Sequence, residues 1–205
     1  MLSMLVQFVP ALLAGFIVNL EIGAIVVVIA LTIGVPLSLL RHRFAWLSRP
    51  IGATVRLMQA LPTYVVMFFT LTLLPREVFL FGTPITGLIA VIFSLSIYLI
   101  AYVAEDARDA LVYLDRHDRD HALLFLPNLL RGFVVVVMSS GFGAAVGVSE
   151  AVSVTMRQAE RLPALSDRIL LFMVTIIFFA LVVGALNLII RYFITLLSRP
   201  QRPPN

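Results

Sequence analysis

Residues 8–40 read FVPALLAGFIVNLEIGAIVVVIALTIGVPLSLL and contain one charged side chain, that of Glu21. Arg41, His42 and Arg43 follow immediately. Because about 20 consecutive apolar residues cross the hydrocarbon core of a bilayer as a helix, this stretch is long enough to span it. It also exceeds that length, so the helix has to tilt or extend past the lipid. The stretch predicts the first transmembrane helix of an integral membrane protein.

Four more apolar runs follow, at residues 55–74, 85–103, 123–148 and 169–197. They are continuously apolar, whereas the strands of a membrane β-barrel alternate apolar and polar residues. The sequence therefore predicts an all-α membrane protein with about five transmembrane helices. No internal repeat or linker divides it, and we expect a single transmembrane domain over residues 1–205.

The composition supports a membrane protein. The chain has 205 residues, of which 61% are hydrophobic and 13% charged, and its mean hydropathy is +1.06. Soluble domains are about 45–50% apolar and about 25% charged, so this chain has too few polar residues to cover a water-facing globule. It has no cysteine, which excludes disulfides, thiol catalysis and thiolate metal sites.

The arginines predict the orientation in the membrane. All 15 basic residues are arginines, and they cluster in short loops, a pattern typical of topology signals and not of nucleic-acid binding. One side of the predicted topology holds eleven of them: Arg41, Arg43, Arg49, Arg56, Arg108, Arg116, Arg119, Arg131, Arg191, Arg199 and Arg202. The richer side faces the cytoplasm, so we expect the N-terminus outside and the C-terminus inside. Residues 198–205 are polar and proline-rich, and we expect them to be disordered.

Few residues suggest chemistry within the membrane. An ionisable group at membrane depth is a functional candidate by default, so Glu21 is one; the alternative is that it lies at the outer interface, because its run is longer than the bilayer. Ser139 and Ser140 are candidates for lining a polar path, unless they bond their own helix backbone. No phosphate-binding loop or paired catalytic groups occur, so we expect a non-catalytic chain that binds no nucleotide or metal itself.

A charged stretch runs from Asp115 to His121 on the predicted cytoplasmic side. His117 and His121 are four residues apart, a spacing that would place both on one face of a helix and suit a metal. The interleaved arginines would repel a cation, however. We interpret the stretch as a solvated loop and as a contact surface for a cytoplasmic partner, formed by the following residues: Asp115, Arg116, His117, Asp118, Arg119, Asp120 and His121.

Several stretches resemble the permease subunits of ABC importers for polar amino acids, over about residues 8–197. The strongest is Ala101-Tyr-Val-Ala-Glu-Asp-Ala-Arg108, which is similar to the family pattern Ala-Tyr-(Leu/Val)-Ala-Glu-x-x-Arg. Val146-Gly-Val-Ser-Glu150 resembles the pattern Ile-Gly-Val-Pro-Glu, and residues 55–62 resemble a segment that in the family ends Arg-Gly-Thr-Pro. The positions matched to family motifs are Tyr102, Glu105, Arg108, Pro127, Gly147 and Glu150.

The chain also departs from this family. Gln59 and Ala60 stand where the family has arginine and glycine, and Gln59 is a further candidate for the substrate path. The cytoplasmic Glu-Ala-Ala…Gly motif that docks into the ATPase is missing, since the interval from Arg108 to Pro127 is shortened. Where the family often has Lys-Asp-Thr-Ser, this chain has Met138-Ser-Ser-Gly141, which carries no charge.

The resemblance implies a type I ABC importer permease in the bacterial inner membrane. It implies a second permease subunit, an ATPase dimer that binds ATP and magnesium, a periplasmic solute-binding protein and membrane lipid as partners. The solute would be an amino acid or a related small polar molecule. Because the coupling loop is reduced, we expect a heterodimer in which the other permease takes more of the ATPase contact. The alternative is a structural or regulatory membrane subunit that has lost transport.

Overall fold

The computed structural model describes residues 2–75, 78–80 and 83–197. Its helices, in chain order, are α1 (Leu2–Arg43), α2 (Ala45–Ala60), α3 (Thr63–Leu73), α4 (Thr86–Asp115), α5 (Arg119–Ala122), α6 (Phe125–Ser139), α7 (Ala151–Glu160) and α8 (Leu165–Leu197). A 3₁₀ segment, Ser140–Val146, continues α6, and a two-residue ladder pairs β1 (Phe79–Leu80) with β2 (Thr83–Pro84) between α3 and α4. The predicted all-α membrane architecture is confirmed.

Four stretches are long and apolar enough to cross a bilayer, and the α2–α3 pair makes a fifth if its two helices count as one span. The segments are 39, 30, 28 and 31 residues long, namely Leu5–Arg43, Thr86–Asp115, Arg119–Val146 and Leu165–Thr195. At 1.5 Å per residue, the 42 residues of α1 extend for about 63 Å, twice a hydrocarbon core of about 30 Å. The prediction that the first helix exceeds the bilayer is therefore confirmed.

The second predicted span, residues 55–74, is not one helix. α2 and α3 meet at an angle of 90°, with Leu61 and Pro62 both extended between them. Proline has no amide hydrogen to continue a helix, and its ring disfavours a helical conformation for the preceding residue. α3 alone covers about 16 Å, roughly half of the hydrocarbon core.

Helix α1 carries one buried stripe, whose first half packs against α7 and α8 and whose second half packs against α4 and α6. The stripe recurs every three or four residues, as one face of a helix does, and comprises Phe8, Leu12, Gly15, Phe16, Asn19, Ile22, Gly23, Val26, Ala30, Gly34 and Ser38. Gly34 lets the two backbones approach, because a Cβ there would lie 2.9 Å from the carbonyl oxygen of Ile100. Small residues at such a contact let helices pack closely within lipid.

Two core clusters organise the rest of the bundle. The larger joins α1, α3, α4 and α6 and includes Ile22, Met67, Leu95, Leu99 and Val136. The smaller joins the first half of α1 to α7 and α8, where the ring of Phe16 contacts those of Phe178 and Phe179 edge to face. α4 is therefore the central helix, and α8 joins the bundle mainly through the second cluster.

Helix α7 follows the 3₁₀ segment and ends before Pro163. Its residues Ala151, Ser153, Thr155 and Ala159 are buried, and the hydroxyls of Thr155 and Thr175 on α8 hydrogen-bond at 3.0 Å. α7 is thus packed between α1 and α8.

Residues 198–205, which we predict to be disordered, lie outside the described residues. Arg76, Arg199 and Arg202 also lie outside them.

We predict that Gly34→Ala lowers the thermal unfolding temperature of the detergent-solubilised protein. The added methyl group must displace the backbone of α4, and overpacking of this kind costs about 1–3 kcal/mol. The matched control is Gly184→Ala, since nothing lies within 4 Å of a Cβ at Gly184. The control should leave the unfolding temperature unchanged or raise it slightly, because alanine favours helix. Equal effects of the two substitutions would contradict the close approach of α1 and α4.

Candidate functional site

A buried cluster of three polar side chains joins α1, the 3₁₀ segment and α7. Asn19, Ser140 and Glu150 all have 0% of their surface exposed. The Asn19 amide nitrogen donates to the Ser140 hydroxyl at 2.8 Å and to Glu150 Oε2 at 3.1 Å. The Asn19 amide oxygen accepts from the backbone N–H of Ala151 at 3.1 Å. Residues more than 120 positions apart in the chain thus meet in one network.

Glu150 is also the N-cap of α7. Its two carboxylate oxygens accept from the backbone N–H groups of Val152 and Ser153, both at 2.8 Å. These N–H groups have no partner within the helix, and a carboxylate there also faces the positive end of the helix dipole. The chain reaches this position through Gly147, whose φ of +85° is readily adopted by glycine. The family-motif positions Gly147 and Glu150 therefore have a clear structural role.

Burial raises the pKa of the Glu150 carboxyl above its ordinary value, because desolvation disfavours the charged form. The backbone N–H groups of Val152 and Ser153, the Asn19 amide and the nearby Arg157 act in the opposite direction. Desolvation outweighs them. The carboxylate is thus held by hydrogen bonds and without a direct ion pair among the described residues.

The candidates for the substrate path are not brought together. Asn19, which sequence reasoning did not select, makes the buried contacts, while Glu21 lies exposed on another face of α1. Ser140 is buried and also donates to the Val137 carbonyl oxygen at 2.7 Å, so the backbone-bonding alternative holds for it. Ser139 is half-buried, and Gln59 is exposed in the last turn of α2. Glu21 was selected as an ionisable group, which asparagine is not; the wider signal of a polar side chain within an apolar run would have found Asn19 as well.

The motif at residues 101–108 connects three helices at the arginine-rich end of the bundle. Glu105 pairs with Arg41 of α1 at 2.7 Å, and the Tyr102 hydroxyl donates to the carbonyl oxygen of Asn128, which follows the buried Pro127, at 3.3 Å. The Asn128 amide in turn donates to Asp106 at 2.7 Å. Arg108 is half-buried. Sequence reasoning found this motif but not its partner Arg41, which served there only as a topology signal.

The charged stretch at residues 115–121 forms a turn and the short helix α5. Asp118 caps α5 by accepting from the His121 N–H at 3.2 Å, and the His121 ring nitrogen lies 2.7 Å from Asp118. These hydrogen bonds lower the pKa of the Asp118 carboxyl. His117 has a φ of +60° in the turn before α5, so His117 and His121 do not lie on one face of a helix. No cluster of three metal-ligating side chains occurs among the described residues.

The exposed side chains of this stretch remain available to a partner. Arg116, Arg119 and Asp120 are exposed, and Asp115 is 66% exposed while its carboxylate lies 3.0 Å from His42 of α1. The stretch therefore projects from the same end of the bundle as the Arg41–Glu105 pair.

A cavity of about 990 Å³ lies between α1, α3, α4 and the 3₁₀ segment, at the end of the bundle opposite the arginines. Its polar side chains are the hydroxyls of Thr72, Thr86 and Ser149, and among the described residues no charged side chain lines it. A second cavity of about 850 Å³ lies between α8 and the pair α6 and α7, and is lined mainly by apolar side chains such as Met138, Phe172 and Phe179.

The fold matches solved structures of ABC transporters. One match is a chain from the crystal structure of an amino acid ABC transporter with histidines. It aligns with a TM-score of 0.72 and 17% identity, over 93% of this chain and 96% of that chain. A chain of the MetNI methionine ABC transporter in an inward-facing conformation aligns with a TM-score of 0.65 and 17% identity, over 92% and 96%. No family model and no curated protein matches the sequence. The chain has the fold of an ABC importer permease and is a multi-pass membrane protein.

We predict that Glu150→Ala destabilises the protein by about 2–4 kcal/mol, because it removes a helix cap and one of the two buried acceptors of the Asn19 amide. Glu160→Ala, at the exposed end of the same helix, is the control and should have little effect. Chemical unfolding in detergent would measure both. In a double-mutant cycle, Glu150→Ala and Asn19→Ala together should lower the stability by less than the sum of the two single losses. A loss equal to that sum would contradict the contact between the two side chains.

The raised pKa of Glu150 predicts how stability depends on pH. A carboxyl whose pKa is higher in the folded than in the unfolded state favours folding when it is protonated. Its stabilising contribution is therefore complete below the unfolded pKa of about 4.3 and is lost as the pH rises through the raised folded value. The free energy of unfolding of the wild type should fall relative to that of Glu150→Gln over this window. A constant difference between the two proteins across that window would show that Glu150 does not titrate differently on folding.

Proposed function

We propose that this chain is the single-domain permease subunit of an ATP-driven ABC importer in a bacterial inner membrane. The observation that carries the proposal is the agreement of fold over nearly the whole of both chains, at a TM-score of 0.72, with a chain of an amino acid ABC transporter. In that role the chain supplies transmembrane helices and itself catalyses no reaction. ATP and magnesium would be bound by a partner ATPase dimer, and solute would be delivered by a periplasmic binding protein.

The proposed solute is an amino acid or a related small polar molecule. Two observations support this class: the two matched structures are of an amino acid transporter and a methionine transporter, and hydroxyls are the polar side chains that line the 990 Å³ cavity among the described residues. Hydroxyls can pair with the amino or carboxyl group of a solute, while the apolar remainder of the wall tolerates an uncharged side chain.

A heterodimer with a second permease fits the short cytoplasmic stretch. Between the end of α4 at Asp115 and the start of α6 at Phe125, the chain forms only a turn and the four-residue α5. This is a small surface for an ATPase, so we propose that the other permease makes the larger contact. Residues 115–121 would supply the contact that remains.

The alternative is a structural or regulatory subunit that assembles without transporting. The self-contained network of Asn19, Ser140 and Glu150 favours it to some extent, since these buried polar groups bond one another. Purification in mild detergent from the native membrane, with identification of all stoichiometric partners, is the first test. An ATPase, a different permease and a binding protein should appear. Recovery of the chain alone or with unrelated membrane proteins would refute the importer proposal.

Solute-stimulated ATP hydrolysis by the reconstituted complex would then separate the two roles. If the complex assembles but neither hydrolyses ATP in response to solute nor accumulates it, the subunit is structural.

We predict that charge reversal by Arg116→Glu and Arg119→Glu lowers the recovery of the ATPase with this chain several-fold. The reason is that both side chains are exposed in the proposed contact, where reversed charges would repel their partners. The control is Arg161→Glu, an exposed arginine on the opposite side of the predicted topology. Quantitative mass spectrometry of the purified complex provides the measurement. Undiminished recovery of ATPase with the double variant would remove residues 115–121 from the interface.

A further inference from the structure

Helix α2 has a charge pattern that neither the fold nor the proposed transport role explains. The sequence contains no acidic residue between Glu21 and Glu77, whereas Arg49 and Arg56 lie on α2 and Arg41 and Arg43 close the preceding helix. Arg49 and Arg56 are seven residues apart, so they lie on one face of α2. Both are exposed, and among the described residues neither has a carboxylate within 4 Å.

The packing of α2 places it at one boundary of the apolar layer. Val55 is buried against Ala101 and Ala104 of α4. A Cβ on Gly52 would lie 2.9 Å from the guanidinium of Arg41, which pairs with Glu105. Glu105 is the first charged residue of α4, at the end of a 19-residue uncharged stretch that begins at Thr86 and covers about 28 Å. α2 therefore crosses α4 where the apolar surface ends, on the side that the arginine count assigns to the cytoplasm.

The direction of α2 fits a helix lying along the membrane surface. It meets α3 at 90°, and α3 packs beside α4, which spans the bilayer. Its exposed side chains include the arginines and two large apolar groups, Trp46 and Leu57, which are 74% and 63% exposed. Interfacial helices combine basic residues with tryptophan and leucine in this way, and tryptophan is enriched at the level of the headgroups.

We propose that α2 binds the anionic phospholipid headgroups of the cytoplasmic leaflet. Arg49 and Arg56 would pair with the phosphate groups, whose oxygens match the donors of a guanidinium, while Trp46 and Leu57 insert between the acyl chains. A lipid surface accounts for both kinds of exposed side chain, because its headgroups pair with the arginines and its acyl chains cover Trp46 and Leu57. A protein partner in water could pair with the arginines, but it would also need an apolar patch to keep Trp46 and Leu57 from solvent. The inference requires the membrane topology and does not depend on transport.

Trp46 makes the proposal testable, because it is the single tryptophan of the chain. The full-length protein is reconstituted in bilayers of phosphatidylcholine with a minor fraction of phosphatidylglycerol. Bromine, which quenches tryptophan fluorescence on contact, is placed on the acyl chains of one lipid or of the other. We expect both brominated lipids to quench Trp46, and brominated phosphatidylglycerol to quench several-fold more than its share of the lipid predicts.

Substitution of the arginines tests the headgroup contact. Arg49→Gln with Arg56→Gln should abolish the preference for phosphatidylglycerol, because each substitution removes one attraction to an anionic headgroup, while quenching by brominated phosphatidylcholine persists. The matched control is Arg116→Gln with Arg119→Gln, which removes the same charge on the same side of the membrane but away from α2. The control should keep the preference.

Four outcomes would overturn the proposal. If neither brominated lipid quenches Trp46 in the wild type, α2 does not lie in the bilayer interface. If the two lipids quench in proportion to their abundance, or if the control loses the preference as fully as the α2 variant does, α2 does not select anionic headgroups. If a co-purified ATPase or second permease shields Trp46 from both lipids, the surface belongs to that protein.

Discussion

Close packing of α1 against α4 positions the other helices of this structure. Lipid tails are as apolar as leucine, so within a bilayer burial of apolar surface does little to hold two helices together. Backbone approach and hydrogen bonds have to supply the attraction. Gly34 lets α1 approach the carbonyl oxygen of Ile100 on α4. Further along α1, Arg41 pairs with Glu105 of α4. With these two helices in place, α2, α3 and α6 pack around α4.

The cluster of Asn19, Ser140 and Glu150 holds the first half of α1 in the bundle, as the close approach at Gly34 holds the second half. A buried carboxylate in an apolar bundle is costly unless its oxygens are satisfied, and here the N-terminus of α7 and the Asn19 amide satisfy them. The network fixes the chain after the 3₁₀ segment, where Gly147 reverses its direction. Through α7 and the ring contacts of Phe16, it also determines where α8 joins the bundle.

The two ends of the molecule differ in their chemistry. One end holds exposed arginines, among them Arg49 and Arg56 of α2, and the turn at residues 115–121. The other end holds a cavity whose polar side chains, among the described residues, are hydroxyls. In the proposed transport role, one side would receive solute and the other would contact a cytoplasmic partner. The fold itself is shared with chains of two ABC transporters.

Hydropathy and arginine placement act along the chain, residue by residue. They were therefore enough to predict the membrane class, the number and approximate place of the apolar segments, and the resemblance that the fold comparison confirms. Pro62 lies within the second apolar run, but a proline does not specify the angle of a break, so the 90° angle at Leu61–Pro62 needs the tertiary structure. The same holds for the pairing of Asn19, and not Glu21, with Glu150, and for the pairing of Arg41 with Glu105. Those contacts depend on which face of each helix meets its neighbour, and in a helix surrounded by lipid both faces are apolar, so the sequence pattern does not distinguish them.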